Sequence, residues 1–265
     1  MTPTDTRALL ATCVAAAAKA ADVIRAGAAR RSELVWETKT RADYVSEVDR
    51  ASEQILGDVI RGRHPDARLI AEEGSPHLDG LDGLVFIADP LDGTTNFLHG
   101  FPWYAVSIAA VIDRELVAGV ILNAATGELF TATAGGGARR AGQPILVSSI
   151  TDPIRALIGT GFPFKQGSDY TERYLEILPP IMLQSAGIRR AGSAALDLAD
   201  VACGRFDAFW EMMLSPWDIA AGLLLIREAG GVVTNIAGDP CPIAHTSVVA
   251  GNPAMHKWLL TKVSS

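Results

Sequence analysis

Residues 84–97 restrict this chain more than any other stretch. The run Leu84-Val85-Phe86-Ile87-Ala88 reads as a short buried strand. It enters Asp89-Pro90-Leu91-Asp92-Gly93. Pro90 cannot donate a ladder hydrogen bond, which predicts that the strand stops there. Gly93 permits a tight turn, and Thr94, Thr95 and Asn96 suit a helix start. A strand end, two nearby carboxylates, a glycine turn and a polar helix start make a place for a divalent cation. The N–H groups of the helix start can hold a phosphate beside it.

An Asp-Gly pair alone is a common turn, so acids elsewhere carry the argument. Glu72 and Glu73 follow the short apolar stretch 69–71, and Asp218 lies in Trp217-Asp218-Ile219-Ala220-Ala221-Gly222. Phosphoryl chemistry on two hard cations needs carboxylates converging from separate strands and loops.

Ala71-Glu72-Glu73-Gly74, then Asp89 through Phe97, then the Trp217–Gly222 motif resemble the inositol monophosphatase family of magnesium-dependent, lithium-sensitive phosphatases. The similarity runs from Lys39 to Val249-Ala250-Gly251-Asn252. It implies a layered α-β-α-β-α sandwich of the α+β class, the architecture shared with fructose bisphosphatases. It implies two to three Mg2+ per site. Glu72 and Asp89, with the Leu91 carbonyl, would hold the first, and Asp89, Asp92 and Asp218 the second; a third would sit near Glu72. Asp49 would pair with the Thr94 hydroxyl to orient an attacking water, with Glu72 assisting. Backbone groups of Gly93, Thr94 and Thr95 would hold the phosphate, and Asp92, Gly192, Ser193, Ala194 and Glu211 the alcohol part.

Each of these residues also has a plainer reading. Asp49, three residues after Ser46, fits a helix-capping pattern, and Asp218 a helix-start acid favoured by the dipole. The small residues at 192–194 suit tight helix packing, and Glu211 reads as a strand-end acid. Lys39 is either a lid-loop residue near the phosphate or a surface charge. His77 reads as a solvated loop residue. Gly135-Gly136-Gly137 reads as a turn, since no P-loop lysine pattern follows.

The expected reaction is hydrolysis of inositol 1-phosphate by activated water, without a phosphoenzyme, in a homodimer acting on a small phosphorylated polyol. The turn Gly93-Thr94-Thr95-Asn96-Phe97 is similar to the inositol monophosphatase version rather than to those of sugar-bisphosphate or nucleotide phosphatases. Residues 159–164 and 190–198 resemble its bacterial branch. A histidinol-phosphate or other sugar or polyol phosphatase on the same site stays open, as does a partner-binding regulatory protein that keeps the fold.

The 265 residues, 49% of them hydrophobic, suffice for one large domain or two packed halves. Ser148, Ser149, Asp152 and Pro153 break the periodicity and set an expected division into 1–147 and 148–265. The first half would hold most metal ligands, the second Asp218 and the substrate contacts. Thirty acidic against 23 basic residues give a net charge of −7, without a long basic stretch, which argues against a nucleic-acid surface. Cys13, Cys203 and Cys241 are odd in number and scattered, as in a reduced cytoplasmic protein. No apolar run has the length of a membrane span. Helices are expected over 4–31, 47–62, 170–184, 216–228 and 253–262, with another starting near Gly192. Strands are expected over 104–112, 116–123, 128–133, 156–160, 206–211, 232–233 and 247–250.

Overall fold

The computed structural model describes residues 3–40, 43–74, 80–162 and 168–264. His77, Pro163, Phe164 and the Lys39 side chain lie outside this description. In the first half, the elements are α1 (Pro3–Ala29), β1 (Glu37–Thr40), β2 (Asp43–Val45), α2 (Glu47–Arg63), β3 (Arg68–Ala71), β4 (Leu84–Asp92) and α3 (Thr94–His99). Strands β5 (Ala105–Ile112), β6 (Glu115–Asn123), β7 (Leu129–Thr133), β8 (Gly137–Arg140) and β9 (Gln143–Pro144) follow. The second half runs through β10 (Leu157–Thr160), α4 (Ser168–Gln184), β11 (Gly187–Arg189), α5 (Ala194–Ala202) and β12 (Ala208–Leu214). It closes with α6 (Pro216–Glu228), β13 (Val232–Thr234), β14 (Thr246–Gly251) and α7 (Pro253–Val263).

Side-chain alternation builds the layers. Along β5, Ala105, Ala109 and Val111 face one core while Val106, Ile108 and Ala110 face another. A period of two with apolar residues on both sides is what a sheet covered on both faces requires. β5 sits within a seven-stranded sheet of order β3-β4-β5-β6-β7-β8-β9. Its outer face is covered by α1 and α2. On α1, Leu9, Cys13, Ala16, Ala17, Ala20, Ala21 and Ile24 form a buried stripe at helical spacing. The five-stranded sheet, order β11-β10-β12-β14-β13, forms the second β layer. Helices α5 and α6 lie between the two sheets, in a core shared with Val85, Ile87 and Phe209. Helix α6 is apolar on nearly every side, as a helix sandwiched between layers must be. Helices α4 and α7 cover the far face through Tyr174, Ile177, Met255 and Leu259 against Trp210 and Met212. The result is the expected five-layered α-β-α-β-α sandwich. No helix among the described residues is long and apolar enough to cross a membrane.

Two strands run further than the sequence reading predicts. Strand β4 does not stop at Pro90 but continues to Asp92. Its pairing with β5 shifts between Asp89, opposite Ser107, and Asp92, opposite Ala105, which inserts one extra residue. A bulge leaves a residue unpaired, so proline's missing N–H costs nothing there. Strand β12 likewise passes Glu211 and ends at Leu214, with a register shift at Met213, whose φ is +62°. Glu211 is therefore a mid-strand residue, not a strand-end acid. The hairpin β1–β2 and strands β8, β9 and β11 were not anticipated.

The triple glycine is a turn, and it is closed by protein. Gly135 N and Gly137 N each donate to a carboxylate oxygen of Glu228 at 2.8 Å. Those donors are taken by a carboxylate of the protein itself, at the end of α6, and not by a phosphate.

Candidate active site

The site assembles where β4, α2, α5 and α6 meet. The β4 bulge turns Asp89 into the interior, where it is 2% exposed, and ends the strand at the half-buried Asp92. Gly93 then adopts φ +88°. A Cβ on it would stand 2.9 Å from the Trp103 carbonyl oxygen and 3.2 Å from that of Gly192. Only glycine meets both demands: left-handed backbone and close packing of three segments. Asn96, in the following helix, ties the same segments by donating to the carbonyls of Trp103 (2.7 Å) and Ala191 (2.8 Å).

Asp89 carries the strongest electrostatic signal. Burial pushes its carboxyl well above the usual range, and the charges of Glu72, Asp92 and Asp218 push it further. One oxygen accepts from the Leu91 N–H at 3.0 Å. The first-half acids Glu72 and Asp92 and the second-half acid Asp218 thus act on one buried carboxylate, as the three motifs predict. All four are hard oxygen donors, and a divalent cation would offset their mutual repulsion. The donor set fits magnesium. Among the described residues these side chains are not gathered into a ready-made cage of three or more. The fit therefore rests on donor chemistry and on the shared field.

The supports differ from ligand to ligand. Asp92 Oδ2 accepts from Ser193 Oγ at 2.6 Å and from Ala195 N at 2.8 Å, so the start of α5 docks onto it. Ser193 is also the N-cap of α5, its Oγ accepting from Leu196 N at 3.3 Å. This places Gly192, Ser193 and Ala194 beside the bulge. Asp218 is the third residue of α6, and its Oδ2 accepts from Ser215 N at 2.7 Å. Ser107 Oγ on β5 donates to the Trp217 carbonyl at 3.3 Å, fixing α6 against the strand opposite Asp89.

Asp49 and Thr94 meet as expected. Thr94 Oγ1 lies 2.9 Å from Asp49 Oδ1 and 3.0 Å from the Leu91 carbonyl oxygen. Asp49 Oδ2 accepts from Ser46 N at 2.8 Å and Ser46 Oγ at 2.6 Å, the capping box read in the sequence. Asp49 is buried, and burial raises its carboxyl pKa while the hydrogen bonds from Ser46 and Thr94 oppose that shift. The Leu91 carbonyl, a candidate metal ligand, sits next to this pair.

Glu211 lies across the site on β12. Its carboxyl packs flush on Gly161, where any Cβ would overlap it. Its charge, with that of Asp92, raises the pKa of Asp197, second in effect to burial. Asp197 on α5 is 1% exposed, and its carboxyl is pushed well above the usual range, by burial first and then by the charges of Glu211 and Asp92. The sequence reading singled out neither Asp197 nor the α2 residues Ser52 and Glu53. Ser52 Oγ donates to the Pro90 carbonyl at 2.7 Å. Its spacing of three from Asp49 on one helix face was the available signal.

The sequence pattern of the inositol monophosphatase family matches residues 5–265. An inositol-1-monophosphatase of Rhizobium meliloti is 45% identical over 95% of this chain and 94% of its own. A protein of Pseudomonas aeruginosa named Nus factor SuhB is 44% identical over 94% and 93%. The crystal structure of the extragenic suppressor protein suhB from Bartonella henselae superposes with a TM-score of 0.92 at 40% identity, covering 97% of this chain and 99% of that one.

Proposed function

The chain belongs to the inositol monophosphatase family, and on that premise we propose that it is a magnesium-dependent phosphatase that hydrolyses inositol 1-phosphate to inositol and phosphate. The observation that carries this reading is Asp89, buried at the β4 bulge and raised by the charges of Glu72, Asp92 and Asp218. Glu72, Asp89, Asp92, Asp218 and the Leu91 carbonyl are the groups that would hold two or three Mg2+. When bound, magnesium offsets the charge of the phosphate and makes water a stronger nucleophile.

The chain's own residues do the positioning. The Thr94 hydroxyl donates its hydrogen to Asp49, which leaves its oxygen to accept a hydrogen bond from the attacking water and so aim it. Glu72 serves as the assisting base. The backbone of Gly93, Thr94 and Thr95 receives the phosphate at the start of α3. Gly192, Ser193 and Ala194, docked on Asp92, line the alcohol side with Glu211, whose carboxylate accepts hydroxyl hydrogens of a polyol.

A second reading is supported by a relative's name, Nus factor SuhB. It gives this chain a partner-binding role beside catalysis.

Phosphate release tests the first reading. The panel is inositol 1-phosphate, glycerol 2-phosphate, histidinol phosphate, fructose 1,6-bisphosphate and adenosine 3′,5′-bisphosphate, with magnesium, without it, and with lithium. Magnesium-dependent, lithium-inhibited release led by inositol 1-phosphate is the expected result. Preference for histidinol phosphate would keep the site and change the substrate. No release from any ester would overturn the phosphatase reading and leave the partner-binding one.

A further inference from the structure

We infer that Glu53 is a positioning residue for the metal ligand Glu72, an inference that rests on the phosphatase reading above. Its two carboxylate oxygens grip consecutive backbone donors directly after Glu72. Glu53 Oε2 accepts from Glu73 N, and Oε1 from Gly74 N, each at 2.8 Å. The grip is close: a Cβ on Gly74 would stand 2.6 Å from Glu53 Oε1. The Glu72–Gly74 turn follows β3, which among the described residues pairs only with β4 at the end of its sheet. One side of this turn is thus left to other elements to hold.

Helix α2 holds it, as it holds the rest of the site's first half. Asp49, Ser52 and Glu53 stand at helical positions i, i+3 and i+4, on one face. Asp49 receives the Thr94 hydroxyl, Ser52 donates to the Pro90 carbonyl, and Glu53 receives the turn after Glu72. One rigid helix face therefore sets the separation of the water-orienting pair, the Asp89–Asp92 bulge and the Glu72 turn. A carboxylate suits the last task because it accepts two N–H bonds at once, whereas an amide offers one acceptor oxygen.

The contact is not needed to close the core. Glu53 is half-buried and borders an open cleft of about 390 Å³, which Arg50, Arg61, Glu73 and the exposed Gly74 also line. Losing the carboxylate therefore leaves solvated donors and a looser turn, not buried unpaired ones. Groups that orient metal ligands from outside typically change metal affinity by roughly 10- to 100-fold.

The test compares wild type, Glu53→Gln, Glu53→Ala and Glu228→Gln. Glu228, at the opposite end of α6 from Asp218, makes the same two-donor grip on the Gly135–Gly137 turn and reports what a structural clamp does. Calorimetric titration with MnCl2 and MgCl2 measures binding directly, and phosphate release gives the half-saturating magnesium concentration. Both Glu53 variants are expected to bind metal about tenfold more weakly or worse. Their half-saturating magnesium rises in step, while turnover at saturating magnesium falls by less than about threefold. Glu228→Gln lowers the melting temperature without changing metal affinity. Glu53 variants with wild-type metal affinity, whatever their melting temperature, would overturn the inference alone. A wild type that takes up neither metal would overturn it together with the phosphatase reading.

Discussion

Helices α2 and α6 begin with the same pattern, a serine followed three residues later by an aspartate, and turn it to different ends. In both, the aspartate accepts the N–H of the serine, Ser46 at 2.8 Å and Ser215 at 2.7 Å. Asp49 then commits its remaining capacity to the protein. Its first oxygen takes the Thr94 hydroxyl, and its second takes the Ser46 hydroxyl as well. It is almost fully buried. Asp218 is half-buried and raises Asp89. In the proposed function, the capping acid enclosed by donors serves to aim the hydroxyl, and the one in the field of other acids serves as a cation ligand. The neighbours decide, since the local sequence device is the same.

Substitutions separate these two uses. Asp218→Asn is expected to cost the most activity, roughly 100- to 1,000-fold in turnover. The asparagine oxygen still caps α6, so stability should change by no more than about 1 kcal/mol. Circular dichroism and a melting curve alongside phosphate release check both halves of that statement. Asp49→Asn is expected to cost less turnover, roughly 10- to 100-fold, through a misaimed hydroxyl. It should also cost about 1–3 kcal/mol of stability, because an amide NH2 then faces a buried donor. A neutral fold with full activity would remove Asp49 from the water-orienting role.

Asp89→Asn gives a third contrast, read in chelator-treated protein. Asp89 is repelled by three carboxylates and penalised by burial. Its neutral isostere should raise the melting temperature of the metal-free protein while abolishing measurable turnover. A lower melting temperature would show that the local field is not repulsive. The smallest effects belong to the serines. Ser46→Ala removes the Oγ that accepts from Val48 N and donates to Asp49, and should cost about 1 kcal/mol. Ser215 Oγ lies a loose 3.4 Å from His245 Nδ1, and Ser215→Ala should stay within about 0.5 kcal/mol. Chemical denaturation resolves that difference, and equal losses would erase it.

The same contrast explains what could be read in advance. Asp89 and the acids that act on it were legible because each sits in a local pattern: an apolar run into Asp-Pro, a Glu pair after a short strand, an Asp in the first turn of a helix. The Ser46–Asp49 cap was legible for the same reason. Glu53 was not, because an acid on a helix surface usually faces water, and its partners lie 20 and 21 residues away. The continuation of β4 through Pro90 and of β12 past Glu211 was hidden as well. A bulge breaks the alternation that marks a strand, and a positive φ at Met213 is announced by no side-chain preference. Strand order was out of reach, since pairings such as β12 with β14 join distant segments that the intervening α6 and β13 separate.

The measurement that bears most directly on this account is a calorimetric magnesium titration of Asp49→Asn and Asp218→Asn beside wild type. The account predicts that Asp49→Asn binds magnesium within about threefold of wild type although its turnover is low, and that Asp218→Asn loses at least one binding event. Equal affinity in the two variants, or loss in Asp49→Asn with retention in Asp218→Asn, would contradict the division of labour between α2 and α6.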